Sequence, residues 1–152
     1  MDERDELIER LSAELGRCYY GGDRDGAARL ADQLADVLGN SSPLKMDRYI
    51  QSWIQIWEAR GDLNEAIRLA NIDITRKRSE IEAGDFDPYP QLLQEEIEYL
   101  QDNLYMQAGR YDEIGNVGAA IECLRENLLL ASRFGREPDP DVVSLLGSLT
   151  AE

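Results

Sequence analysis

The chain reads as an all-α protein built from antiparallel helical hairpins. Three observations predict this. Apolar residues recur at spacings of three and four, no useful length alternates with a period of two, and a glycine–Asx pair returns between the periodic segments. The pair stands at Gly22-Asp23, Gly61-Asp62 and Gly115-Asn116, and a small residue opens the next stripe at Ala27, Ala66 and Ala120. Each pair is the turn of a two-helix hairpin. Self-similarity of this kind decides architecture before any single motif does.

The first helix holds Leu7, Leu11, Leu15 and Cys18 on one stripe, widened by Ile8 and Tyr19. Gly21-Gly22 stops it, and Asp23 or Asp25 caps the second helix. That helix carries Ala27, Leu30, Ala31, Leu34 and Leu38, whose small members let two backbones approach. Gly39-Asn40-Ser41-Ser42-Pro43 ends it, with Ser42-Pro43 as N-cap and first residue of the third helix. The third helix presents Met46, Ile50, Trp53 and Trp57, with Tyr49, Ile54 and Ile56 beside them. A fourth follows Gly61-Asp62 with Leu63, Ala66, Ile67, Ala70, Ile74 and Ile81.

Gly84-Asp85-Phe86-Asp87-Pro88-Tyr89-Pro90 is the strongest break in the chain. Asp87 is the expected N-cap there, with Pro88 opening the fifth helix. The fifth stripe is Leu93, Ile97, Leu100, Leu104, Ala108 and Tyr111, and Glu95, Glu96, Glu98 and Asp102 form its outer face. The sixth holds Val117, Ala120, Ile121, Leu124, Leu128 and Ala131, thickened by Leu129, Leu130 and Phe134. Asp139-Pro140 caps a short seventh helix that covers an exposed apolar end. The expected arrangement is one domain over 1–152, with hairpins near 3–39, 43–84 and 88–134 and a capping helix at 139–150.

Composition narrows the function. With 43% hydrophobic and 31% charged residues, the chain is a folded protein with a sizeable core. Its net charge of −15 repels phosphate, which disfavours nucleic acid and anionic membranes and favours basic partners. The absence of histidine removes the commonest general base and the commonest transition-metal ligand together. Cys18 and Cys123 form no CxxC pair, so no disulfide framework or zinc site is expected, and the setting is a reducing cytoplasm. The charged N-terminus is no signal peptide, and no run approaches the ~18 apolar residues of a membrane span.

Residues that suggest chemistry have plainer readings. Trp53 and Trp57, one turn apart within an apolar stripe, are core rather than a ligand platform. Arg76-Lys77-Arg78 complements a helix end and stays solvated rather than docking an anion. The dense acidic face of the fifth helix lacks the alternating ligands and central glycine of a calcium loop. Both cysteines lie on apolar stripes, where a buried thiol is the default. No phosphate loop, nucleophile elbow or metal spacing is present, so no cofactor, no metal and no catalysis are expected.

Gly61-Asp62-x3-Ala66 resembles the turn of the tetratricopeptide repeat. Aligned on that glycine, Trp53 and Trp57 take the large positions of the repeat's first helix, and Ala66 and Ala70 take the packing face of its second. Leu104, Ala108 and Tyr111 match the corresponding pattern before Gly115, whereas Leu15 stands where the family prefers a small residue. The resemblance covers about residues 5–134. The family's period is ~34 residues; the turns here are 39 and 54 residues apart, because the fourth helix and the linker after it are long. The proline usual after the second helix is also missing.

The resemblance implies hairpins stacked as a right-handed superhelix, with a concave groove lined by the first helix of each hairpin. Its groove residues would be Ser12, Gly16 and Tyr19, then Arg48, Gln51, Gln55 and Glu58, then Asp102, Tyr105, Gly109 and Asp112. The lysine–asparagine pattern that grips a terminal carboxylate in some members is absent. The implied function is a non-catalytic module holding a peptide or helix of a partner protein, of basic character, anchored on Tyr19 and Tyr105 with carboxylates at the rim. Alternatives are a small acidic chaperone, or a self-assembling protein forming a homodimer through its last helix or its tryptophan face. An enzyme is the rival of another class.

Overall fold

The same local structure is built at all three repeated turns. At the second, Gly61 adopts φ 81°, with Asp62 N donating to Trp57 O at 3.0 Å and Gly61 N to Glu58 O at 3.0 Å. At the first, Gly22 has φ 88°, and Asp23 N donates to Cys18 O at 2.9 Å. At the third, Gly115 has φ 84°, and Asn116 N donates to Tyr111 O at 2.8 Å. This is the Schellman closure, which needs a residue in the left-handed region that only glycine enters cheaply. The Asx residue that follows caps the next helix: Asp23 accepts from Gly26 N, Asp62 from Glu65 N and Asn116 from Ala119 N. The glycine–Asx pair thus ends one helix and starts another.

The computed structural model describes residues 2–39 and 49–151. Among these the chain forms seven α-helices and no strand: α1 Glu3–Tyr20, α2 Arg24–Leu38, α3 Ile50–Ala59, α4 Leu63–Glu82, α5 Pro90–Glu113, α6 Val117–Arg133 and α7 Pro140–Thr150. Met46, Arg48 and the Ser42-Pro43 start expected for the third helix lie outside the described residues. None of the helices is long and apolar enough to cross a membrane. Packing divides the chain into two compact units, Met1–Asp73 and Ile74–Glu152, with the boundary inside α4 rather than at a hairpin end.

In the unit Met1–Asp73, α1 and α2 pack as a hairpin and α3 packs on both. The buried stripe of α1 is Ile8, Leu11, Leu15 and Tyr19, with Leu7 and Cys18 at its margin. Ala27 and Ala31 are fully buried on α2, so the two backbones come close. Against α3 lie Ala66, Leu69 and Ala70, the first half of α4. Trp53 and Trp57 are half-buried and pack on this cluster, as expected of core-lining residues.

The unit Ile74–Glu152 has a longer core. Ile74 and Ile81 of α4 meet Ile97, Leu100 and Leu104 of α5 and Leu130 of α6. Further along, Ala108, Ala120, Leu124 and Val142 form a second cluster that α7 closes. Two sequence expectations are corrected here. Leu129 does not thicken the core but is 70% exposed. The fifth helix starts at Pro90, not Pro88, because the residue before a proline is pushed out of the helical region and Tyr89 sits at φ −126°, ψ 80°. Asp87 therefore caps nothing on α5; its amide closes a turn onto Gly84 O at 3.1 Å.

Candidate functional site

The basic run is the first feature whose surroundings change its meaning. Lys77 lies 2.6 Å from Glu96 and 3.1 Å from Glu80, and Arg78 grips Glu126 through two bonds of 2.7 and 2.6 Å. Arg76 lies 4.0 Å from Glu80. Burial disfavours the charged form of Lys77, but its bonds to Glu96 and Glu80 outweigh that and raise its pKa. These pairings give the run an internal role: Lys77 ties α4 to α5 through Glu96, and Arg78 ties α4 to α6 through Glu126.

The residues expected to form a groove fall into separate surroundings. In the unit Met1–Asp73, a hollow of about 360 Å³ opens between α1 and α3, lined by Asp5, Glu9, Ser12, Tyr49, Ser52, Gln51 and Gln55 among others. Its polar groups are largely engaged with one another. Gln51 donates to the buried Asp73 at 2.8 Å, Gln55 to Ser12 O at 3.4 Å, Tyr49 to Asp5 at 3.1 Å, and the Ser12 and Ser52 hydroxyls lie 3.1 Å apart.

Tyr19 and Glu58, placed at the groove by resemblance, are both buried. Tyr19 continues the α1 core stripe, with the Arg24 guanidinium 4.1 Å from its ring centre, so its ring is no free anchor. This corrects the expectation for Tyr19, and Glu58 likewise stands enclosed rather than at a rim. Arg48 lies outside the described residues.

In the unit Ile74–Glu152, a hollow of about 400 Å³ gathers Glu98, Gln101, Asp102, Tyr105 and Met106 of α5 with Asn127 of α6 and Arg136, Glu137 and Asp139 of the following loop. Asp102 and Tyr105, two of the expected groove residues, meet here, whereas Asp112 lies exposed outside it. The floor is a reciprocal amide pair. Gln101 donates to the side-chain and backbone oxygens of Asn127 at 3.1 Å each, and Asn127 donates back to Gln101 O at 2.7 Å.

Arg136 is committed to the wall, donating to Gln101 at 2.9 Å and Gln94 at 3.0 Å and standing 4.0 Å from Glu98. Asp139 is committed to capping α7 through Asp141 N. Asp102 has no hydrogen bond or ion pair among the described residues. Burial first, then the Glu98 and Asp139 carboxylates, push its pKa upward, against the pull of Arg136.

The chemistry of this hollow follows from that inventory. Four carboxylates face one guanidinium, two of whose N–H groups are held by Gln101 and Gln94. A tyrosine ring and a methionine supply an apolar wall. Such a setting, with four carboxylates to one guanidinium, favours an incoming cation with an aliphatic stem over an anion. Gln101, Asn127, Arg136 and Glu137 carry no site expectation from the sequence, and Asp139 is read there only as a helix cap. The amides interrupt two apolar stripes, which is a readable signal; the loop has no periodicity and so gives none.

The two thiols have no such setting. Cys18 and Cys123 are unpaired and half-buried. Burial, with Glu126 adding to it, pushes Cys123 up to about 11, which keeps the thiol protonated and sluggish as a nucleophile. Among the described residues no group of His, Cys, Asp or Glu could hold a metal ion.

Asp102 yields a pH prediction. A carboxyl whose pKa is raised on folding weakens the fold once it ionises, so its destabilising effect is present above the raised pKa and fades as pH falls through it. Asp102→Asn is therefore expected to melt slightly higher than the parent at neutral pH. The difference should shrink to nothing below the ordinary aspartate range, as followed by thermal melts across an acid series.

Compared with family models, curated proteins and solved structures, the chain has no match.

Proposed function

We propose that the chain is a non-catalytic protein–protein interaction module of tetratricopeptide-like hairpins that holds a basic segment of a partner protein. The observation that carries the reading is the α5 hollow, where Asp102 and Tyr105 stand with their polar groups unclaimed beside Glu98 and Glu137. A lysine or arginine side chain would lay its stem along Tyr105 and Met106 and set its charge against Asp102 and Glu98. The residual charge of −15 adds long-range attraction for such a partner. The recurrent Schellman turns support the hairpin repeat, since the same closure and cap are built three times. The proposal sets the module in a reducing cytoplasm, where Cys18 and Cys123 remain thiols.

The test is a fluorescence-anisotropy titration with lysine- and arginine-rich peptides at two salt concentrations. Tyr105→Ala combined with Asp102→Asn is expected to weaken binding about tenfold or more, roughly the loss of one aromatic contact and one charge pair. Binding by the parent should fall as salt rises. Undiminished binding by the double variant would sink the assignment.

A further inference from the structure

A second hollow in the unit Ile74–Glu152 differs in character from the first. It holds about 150 Å³ between α4 and α6, with Ile81, Leu100 and Leu130 at its floor. Leu129, 70% exposed, stands on its wall. The rim carries two cations and two anions already paired with each other: Arg78 with Glu126 at 2.6 Å, and Arg133 with Glu82. The rim therefore sums to zero charge on a chain whose net charge is −15.

We propose that this face is where a second copy of the chain docks, α6 against α6 in antiparallel sense about a two-fold axis near Leu129. Two copies of so acidic a chain repel each other, and the repulsion is least where an apolar patch is ringed by balanced charge. A uniformly basic partner would gain little here, because the rim's two arginines cancel the attraction of its two glutamates. The order of residues along α6 supplies the complementarity. Glu126 lies one turn before Leu129 and Arg133 one turn after it, both on the side that lines the hollow. An antiparallel two-fold sets the position after Leu129 opposite the position before it on the second copy, so each Arg133 meets the other copy's Glu126. The exposed Leu129 of each copy then fills the other's hollow. Arg125, also exposed, lies outside the lining.

Sedimentation velocity over a concentration series from micromolar to sub-millimolar tests this. The parent chain is expected to dimerise reversibly, and more tightly at moderate than at low salt, because screening relieves the overall repulsion. Leu129→Glu should weaken the dimer about tenfold or more by setting an unpaired charge at the interface centre. Its melting temperature should hold, since an exposed position tolerates the change.

Arg133→Glu should also weaken it, whereas Glu126→Arg with Arg133→Glu should restore association. The inverted charges still oppose each other across the axis, although both pairs within the chain, to Arg78 and Glu82, are broken. A purely internal role for these residues predicts no such recovery. A parent that stays monomeric throughout, a Leu129→Glu dimer as tight as the parent's, or a double variant that fails to recover would each overturn the proposal. None of the variants touches the α5 hollow, so peptide binding by these same proteins reports on that reading separately.

Discussion

Asn127→Asp is expected to destabilise the protein by about 3–5 kcal/mol at neutral pH, the cost of an uncompensated buried charge. The change is nearly isosteric, so packing is preserved and the loss comes from electrostatics alone. Asn127 is 2% exposed, and its amide nitrogen donates to Gln101 O at 2.7 Å. An aspartate there sets a carboxylate oxygen against a carbonyl oxygen with no donor between them. Its pKa in the fold would be raised, so stability should return as pH falls through that raised value and the acid protonates. Urea unfolding at neutral and acid pH measures both effects. A variant as stable as the parent at neutral pH would mean that the amide pair does not join α5 to α6.

Leu124→Ala is expected to cost about 2–5 kcal/mol, the range for truncating a fully buried leucine. Leu124 is fully buried where Ala108, Ala120 and Val142 meet, so α5, α6 and α7 all contact the space it would vacate. The rigid backbones that carry Ala108 and Ala120 limit collapse around the cavity, while leucines and tyrosines at the cluster's margin pack against it. Leu129→Ala, five residues on, is the internal control. With its side chain 70% exposed it should shift the urea midpoint little. Equal losses at the two positions would contradict the division of α6 into a core face and an open one.

The hairpin turns were legible in the sequence because their determinants are local. A glycine that must enter the left-handed region and an Asx that must accept an amide bond are both read within six residues. The apolar stripes were legible for the same reason, and they placed Leu11, Leu15, Leu34, Ile97, Leu100 and Leu104 in the core correctly. The misses are cases where one local signal serves two outcomes. Leu129 sits beside a core stripe, and only the position of α4 relative to α6 decides whether that flank is covered.

Pro88 and Pro90 both qualify as a first helical residue, and the turn through Gly84 and Asp87 leaves the second to open the helix. Tyr19 extends its stripe inward, which alignment to a repeat could not reveal. The basic run was misread for a longer-range reason, since Glu96 and Glu126 lie far along the chain from the cations they hold. Of the candidate site, Asp102 and Tyr105 could be named in advance from helical register. Their neighbours Arg136 and Glu137 could not, because the loop that delivers them follows no period, and Asp139 was legible only as the cap of α7.

The central claim is that the α5 hollow receives a basic side chain, and chemical-shift mapping tests it most directly. The isotope-labelled protein is titrated with a lysine- and arginine-rich peptide. The account predicts that the largest shifts cluster at Glu98, Asp102, Tyr105, Met106 and the Arg136–Asp139 loop, and that Asp102→Asn with Tyr105→Ala abolishes them. Shifts spread evenly over the acidic surface, or centred elsewhere and unchanged in that double variant, would contradict it.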